Sequence, residues 1–410
     1  MTTKPVIVLA GHDAAPSGCF KRFGPELEKR GFEVVLFIDH GKPRTSTDEQ
    51  IAAAVSRAQL VILGTSSTAE LAATELVAGR AAVAGKIPIV FYFDVRTCWT
   101  LGNKWYHELA PSVIACLGVE PSDPAEAQRT FPNARFFGTG NPLHGEMALP
   151  PKFPRDEVRA KLGLQPDEVA VMLTTVKSPG CNLAQLELLI RALEILQNAG
   201  RKIRLLVSPH PGDRTPFAVD PGPDVEELLK QQGFPGEVPV FLTEFKAFQE
   251  AHPGLGLELL APKPMNLYQE LASHGEVKVE MVPPNVFRGG ELLPAVECLV
   301  EYGSSLALQA ACMEEPVPVV TLAIDLIVRR HARTTGVTPP ASPYLEAQEE
   351  GLSLMVRGSD AQVLAETIVL ALEGNRRLKE NQRRFRAGIA APGTALAKMV
   401  EVIQRFLPGD

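Results

Sequence analysis

Short, uninterrupted apolar runs alternate with helix-patterned segments along most of this chain, and the alternation occurs twice. In the first stretch the runs are Val6–Ala10, Val34–Ile38, Leu60–Leu63, Ile87–Tyr92, Val113–Cys116 and Arg135–Phe137. Helical patterns lie between them near Phe20–Arg30, Asp48–Arg57, Thr68–Ala84 and Pro124–Thr130. A strand without polar alternation is buried on both faces, and parallel strands need crossovers of about helix length, so this pattern predicts a parallel sheet covered on both sides. Right-handed crossovers then gather the C-terminal strand ends along one edge, where open α/β sheets hold ligands.

The segment Gly138–Pro154, GTGNPLHGEMALPPKFP, is rich in Gly and Pro and is expected to be a linker without helix or central strand. A helix opens at Arg155 and closes at Gly163, and the alternation restarts. Strands are predicted at Val169–Thr174, Ile203–Val207, Val238–Leu242, Val277–Met281, Cys298–Glu301 and Val317–Leu322. Helices are predicted at Leu183–Ala199, Val225–Gln232, Pro264–Ser273, Leu306–Met313 and Asp360–Leu372. With 410 residues the chain exceeds what one core usually supports. The expected organisation is therefore α/β with two Rossmann-like domains, 1–150 and 151–392. Two proline-rich loops, Pro209–Asp224 and Arg333–Glu350, are long enough to suggest function.

Composition narrows the partners. The net charge of −7 and the 6% aromatic content argue against a nucleic-acid partner, which needs phosphate neutralisation or stacking platforms. The basic run of Arg376, Arg377, Lys379, Arg383, Arg384 and Arg386 reads as the solvated face of a helix. The six cysteines form no CxxC pair, which predicts neither a disulfide framework nor a zinc site and fits a cytoplasmic location. The run Pro5–Ala10 is too short for a signal peptide, and no apolar run approaches a membrane span.

Candidate functional residues fall at predicted strand ends. In VECLVEYGSSLALQAACMEEPVPVV, Val296–Val320, an apolar strand runs into Gly303-Ser304-Ser305 and then a helix. Such a turn offers backbone N–H groups and hydroxyls to an anion; a plain helix cap is the alternative. Gln309 follows one helical turn after Ser305. His12 and Asp13 follow the first strand, with Ser17 and Gly18 next, and an exposed turn is the alternative there. His210 sits between Pro209 and Pro211, which fix its direction. Thr174, Thr175 and Lys177 follow the first strand of the second half, and Arg288-Gly289-Gly290 precedes a helix. Asp94, Arg96, Trp99 and Trp105 follow the fourth strand, where the tryptophans can form a sugar platform or pack in the core. Glu70 and Glu75 share one helix and are expected to face solvent, and His144 belongs to the linker.

Several segments together resemble the GT-B class of glycosyltransferases, in particular the group of lipid-A-disaccharide synthase and UDP-sugar 2-epimerases. Gly138–Met147 is similar to the GNP turn that ends their N-terminal domain, and Arg159–Val176 to the helix and strand that open the C-terminal one. SPHPGD, Ser208–Asp213, resembles their strand-end HP turn, and Val296–Val320 their donor-phosphate motif. The chain departs from that pattern at Gln309, where many members carry a Glu that grips the donor ribose, at Glu297 for Asp, and at Glu315-Pro316 for Gly-Pro. An amide accepts the ribose hydroxyls through one oxygen only.

The resemblance implies two Rossmann-like domains facing across a cleft, with residues 393–410 forming a helix that returns to the N-terminal domain. It implies a metal-independent hexosyl- or N-acetylhexosaminyl-transferase. Its substrate would be a nucleotide-diphosphate sugar, UDP-linked, with no separate cofactor and an unidentified acceptor. His12 or Asp13 would be the base; Lys177, His210, Gly303, Ser304, Ser305 and Gln309 would hold the donor; Ser17, Gly18, Asp94 and Trp99 would meet the acceptor. Oligomeric state is open, a homodimer included. Two rivals stand beside it: a UDP-sugar 2-epimerase-like isomerase, which needs acidic residues gathered around the sugar, and a GT-B-shaped binding protein without catalysis.

Overall fold

The structure, a computed structural model, describes the chain apart from residues 1–3, 40–43, 67–68, 70, 97, 99–104, 177–178, 211–266, 274, 284, 326, 329–345, 390 and 408–410. Its described residues divide into two compact units, the first lying within Met1–Ala148 and Ile389–Asp410, the second within Leu149–Arg330 and Tyr344–Gly388.

The first unit runs β1 (Val6–Gly11), α1 (Ala14–Lys29), β2 (Glu33–Ile38), α2 (Asp48–Val55), β3 (Leu60–Leu63), α3 (Ala73–Gly85), β4 (Ile89–Phe93), β5 (Val113–Gly118), α4 (Pro124–Thr130), β6 (Arg135–Gly138) and α5 (Pro142–Met147). Its six strands are ordered β2-β1-β3-β4-β5-β6, every pairing parallel. Successive strand residues feed two different cores. Val6, Val8, Ala10, Val61 and Leu63 pack on the side of α2 and α3. Ile7, Leu9, Leu60 and Ile62 pack on the other side with Phe20, Phe23 and Leu27 of α1. This is why the strands read as continuous apolar runs.

The second unit runs α6 (Arg155–Lys161), β7 (Val169–Thr174), α7 (Pro179–Asn198), β8 (Ile203–Ser208), α8 (Leu267–Ser273), β9 (Lys278–Met281), α9 (Gly289–Leu292), β10 (Cys298–Glu301), α10 (Leu306–Cys312), β11 (Val319–Ala323), α11 (Glu346–Glu349), β12 (Leu354–Arg357), α12 (Ala361–Leu372) and α13 (Arg376–Gly388). Its sheet is ordered β12-β11-β10-β7-β8-β9, again all parallel. Buried Arg159 of α6 donates to the carbonyls of Ala295, Gln165 and Glu168 and to Glu297, whose carboxylate also accepts the Ala170 N–H at 2.6 Å. Glu297 thus anchors the N-terminal ends of central strands β7 and β10.

The final helix, α14 (Thr394–Gln404), belongs to the first unit. Its Met399, Val400, Val402 and Ile403 join the core of Ile7, Leu9 and Phe20.

Four expectations are revised. Helix α1 starts at Ala14 rather than Phe20. Pro16 lies in the first turn, where a missing N–H costs nothing, so the Pro-Ser-Gly run that reads as a loop is helical. The presumed linker contains α5, with Pro142 at its first position and the Asn141 side chain accepting the Leu143 N–H at 2.9 Å. Strand β12 is absent from the sequence reading because its apolar run is only three residues long, with Val356 alone buried, and ends on exposed Arg357. Glu75 does not face solvent; it is 0% exposed. The strand expected at Val238–Leu242 and the helix at Val225–Gln232 lie outside the described residues.

Both sheets place their first strand inside, with neighbours added on either side, so the chain reverses direction across the sheet between β1 and β3 and again between β7 and β10. Such switch points leave a crevice beyond the strand C-termini. At the first, a Cβ on Gly64 would stand 2.5 Å from Pro16 Cβ and 3.3 Å from Gly11 Cα. The proline ring cannot swing away, so Gly64→Ala is expected to lower stability by about 1–3 kcal/mol. A urea titration should show a lower midpoint at unchanged slope.

Candidate functional site

At the switch point of the first sheet, β1 ends at Gly11 and the chain turns through His12 and Asp13 into α1. Asp13 stands at the N-cap position with extended backbone (φ −62°, ψ 158°), and its side chain does not cap the helix. The Ser17 hydroxyl, buried one turn later, donates back to the Gly11 and His12 carbonyls at 2.9 and 3.0 Å. Ser17 thus fixes the turn from beneath. Gly18 is inside α1, with its carbonyl accepting from Arg22 at 2.9 Å.

The loop after β3 supplies Thr65 and Ser66. The Ser66 oxygen accepts the Asp13 N–H at 3.1 Å, and its hydroxyl donates to the Glu75 carboxylate, which also accepts the His12 N–H at 3.1 Å. Burial pushes the Glu75 carboxyl up to about 7 against these hydrogen bonds, and the nearby charge of Asp13 raises it further. Its second oxygen, Oε2, is buried and has no hydrogen-bond partner among the described residues.

Asp94 follows β4. Its carboxylate accepts from the Cys98 thiol at 3.0 Å and the Thr65 hydroxyl at 3.4 Å, and its carbonyl from the Asn141 amide at 3.0 Å. Burial holds its carboxyl above the ordinary range, with Asp13 adding to the rise. Asp13 therefore lies within the field of both Glu75 and Asp94, and three carboxyl groups share this strand edge. Trp105 is a core residue whose indole donates to the Ser66 carbonyl at 2.7 Å, and Trp99 lies outside the described residues. His144, on α5, is pushed down to about 4 by burial.

The second sheet's switch point is built differently. The loop after β7 is tied to the loop after β8, since the His210 N–H donates to the Thr175 hydroxyl oxygen at 2.8 Å. Asn182 of α7 holds the same loop, accepting the Val176 N–H and donating to the Val176 carbonyl, each at 2.8 Å. Lys177 lies outside the described residues. Across the switch point, β10 ends at buried Glu301, and the turn opens at Gly303 with a φ of +69°, a left-handed value that favours glycine. Glu301 accepts the Ser304 N–H at 2.8 Å, the Gly303 N–H and the Thr321 hydroxyl, and Thr321 is in turn 2.7 Å from the Ser353 hydroxyl. Burial raises Glu301 to about 7.

An internal carboxylate thus takes the Gly303 and Ser304 amides that the sequence offers to a phosphate. The Ser304 hydroxyl accepts the Leu306 N–H at 3.2 Å, while Ser305 is exposed and makes no capping bond. Gln309 presses on the first turn of α9 so closely that a Cβ on Gly290 would lie 2.5 Å from its Oε1.

Ser66 and Glu301 are not apparent as site residues from pattern alone, and Glu75 reads as a solvent-facing helix residue. The available signals are a lone acid in a small, apolar helix for Glu75, and an acid closing an apolar strand just before a small-residue turn for Glu301. Among the described residues no group of three or more His, Cys, Asp or Glu is arranged to hold a metal ion, and no helix is long and apolar enough to cross a membrane.

The raised carboxyl of Glu301 makes a stability prediction. Between its ordinary 4.5 and about 7 the folded chain keeps a proton that the unfolded chain has released, so this group's contribution falls as pH rises through that window. Gln at 301 can accept the turn amides through its oxygen and donate to Thr321 without ionising. Glu301→Gln should therefore gain stability over the parent as pH rises from 4.5 to 8, by up to about 3 kcal/mol. Parallel urea titrations at pH 4.5, 6 and 8 measure it; a constant difference would refute the assignment.

No protein-family model matches the chain, and no curated protein does. Solved structures do match over its whole length. A glycosyltransferase from Rickettsia africae shares 9% identity at a TM-score of 0.55, covering 100% of both chains. The UDP-GlcNAc 2-epimerase of Neisseria meningitidis, solved with UDP-GlcNAc bound, shares 11% at 0.55, covering 98% of this chain and 100% of its own. The trehalose 6-phosphate synthase of Burkholderia multivorans shares 11% at 0.52, covering 98% and 97%. With its two parallel six-stranded α/β units, the chain has the GT-B fold of these glycosyltransferases and 2-epimerases.

Proposed function

We propose that the chain is an enzyme acting on a nucleotide-diphosphate sugar, and that it transfers the sugar to an acceptor hydroxyl. The reading rests on one observation: in a chain with the GT-B fold end to end, both switch points carry loops tied down by buried polar networks rather than loose solvated turns. Pre-set groups of this kind stabilise charge developing in a transition state without reorganising.

In this reading His12 or Asp13 takes the acceptor proton. Both main-chain amides of that turn are held, which aims the side chains. Ser17 and Gly18 shape the floor of the acceptor side, and Asp94 and Trp99 contact the acceptor. On the donor side His210, held through Thr175, and exposed Ser305 contact the diphosphate, while Lys177 offsets its charge without a metal. Because Glu301 already occupies the Gly303 and Ser304 amides, these position Ser305 more than they bind phosphate directly. Gln309 reaches the ribose through one oxygen, which weakens the donor grip relative to a carboxylate. Six buried cysteines, none of them in a disulfide, fit work in the reducing cytoplasm.

A second reading, 2-epimerisation of a UDP sugar, is favoured by the shared edge of Asp13, Glu75 and Asp94 in the first unit. Removing and returning a proton at a sugar carbon needs such carboxyl groups.

A thermal-shift screen against UDP, GDP, CDP, dTDP and ADP tests the shared premise. A ligand at a hundred times its Kd adds about 2.7 kcal/mol, and UDP is expected to give the rise. His210→Ala and Ser305→Ala should each reduce it. NMR of UDP-GlcNAc incubated with the protein alone then separates the readings: appearance of its C2 epimer selects isomerisation, whereas nucleotide release only on adding acceptor selects transfer. No shift with any nucleotide, from folded protein, would overturn both.

A further inference from the structure

Glu75 is a carboxyl group held in the interior of the first unit. It lies in the first turn of α3, fully buried, in a helix otherwise built of small and apolar residues on its inner face. An isolated carboxylate in such a place costs several kcal/mol, and closing a core needs nothing more than an apolar side chain. The carboxylate is used by its neighbours instead. Its Oε1 takes the His12 N–H directly and the Ser66 hydroxyl, and that hydroxyl oxygen takes the Asp13 N–H. One acid thereby joins the loop after β1 to the loop after β3, across the switch point.

Resting on the transferase reading, we propose that Glu75 is a positioning residue that holds the His12–Asp13 turn, directly at the His12 N–H and through Ser66 at the Asp13 N–H. The surrounding charges leave this role to Glu75. From the loop after β1 it faces Asp13 and the His12 main chain, and from the loop after β3, among the described residues, the neutral Ser66. Asp94, after β4, senses the same Asp13. Asp39, after β2, is tied to the Thr74 hydroxyl at 3.0 Å. Asp48 and Glu49 of α2 are exposed, as are Arg80 of α3 and Lys86 just past its end, with Arg80 paired to Glu108. Burial places the ionisation of Glu75 near neutrality, so the negative charge beside Asp13 is gained as pH rises through about 7.

The test compares the full chain with Glu75→Gln and Glu75→Ala. The readout is the backbone amide signal of His12 and Asp13 in 15N NMR between pH 5 and 9. The parent should show an inflection near pH 7 at both amides. In Glu75→Gln the amide oxygen still accepts the His12 N–H, so both signals should stay near their low-pH positions and the inflection should vanish. In Glu75→Ala both should move and exchange hydrogen faster. An inflection that persists in Glu75→Gln, or unchanged His12 and Asp13 signals in Glu75→Ala, would overturn the proposal. Should Glu75→Ala fail to fold, Glu75→Gln alone decides. The nucleotide screen is run on the same samples: equal shifts in parent and Glu75→Gln are expected, and absence of any shift in the parent sinks the transferase reading while leaving the NMR result to stand. Once turnover is established, Glu75→Ala should lose about tenfold in kcat with KM unchanged, and Glu75→Gln, which still accepts the His12 N–H, should keep most of it.

Discussion

Parallel strands covered on both faces leave no room for polar chemistry along their length. Every residue of β1 is buried, and so is every residue of β3, β4 and β10. Along these four strands polar chemistry is therefore left to the strand ends, and among those the two switch points are where neighbouring loops part. The rest of the molecule follows from this constraint. Glycine is required at Gly64 because the loop after β3 approaches Pro16 and Gly11 there without a side chain between. Helix α1 must begin at once after Asp13, which sets its N-terminal turn against the crevice.

The two switch points meet the constraint with the same device. In each, a buried acid accepts main-chain N–H groups from the turn that ends a central strand: Glu75 for His12, Glu301 for Gly303 and Ser304. Both acids are pushed to about 7 by burial. They differ in where they come from. Glu75 reaches in from a helix and bridges two loops, whereas Glu301 is the last residue of its own strand and folds back on the turn that follows. Glu301 also links outward through Thr321 to Ser353, so one hydrogen-bonded chain crosses β10 and β11 to the start of β12.

Much of this architecture was legible in the sequence because apolar continuity is a property of several residues at once. The runs Leu60–Leu63, Val169–Thr174 and Cys298–Glu301 coincide with observed strands. What escaped were features decided by a single residue or by tertiary context. Pro16 and Gly18 read as a loop, but a proline in the first helical turn carries no penalty. The Gly and Pro content around Pro142 hid a short helix that Asn141 caps. Glu75 read as solvent-facing because a lone acid on a helix usually is. Its burial depends on Ser66 and the His12 main chain, which lie far away in sequence. Glu301 closed a correctly placed strand, yet nothing local told that its carboxylate would turn back on Gly303 and Ser304.

The packing of α14 beside Ile7, Leu9 and Phe20 has a consequence for how the chain acquires its shape. One of the two cores of the first unit includes Met399, Val400 and Ile403, which follow the entire second unit in sequence. During synthesis, β1 and α1 emerge early with this face open, and they must wait for α14 to cover it. Closure of a loop that long adds little entropy beyond that of a shorter one, but it delays the contact. The second unit has no such dependence on α14 and can settle first. The order of folding would then run against the order of translation, with an exposed apolar face on the nascent first unit as the natural point for a chaperone to bind.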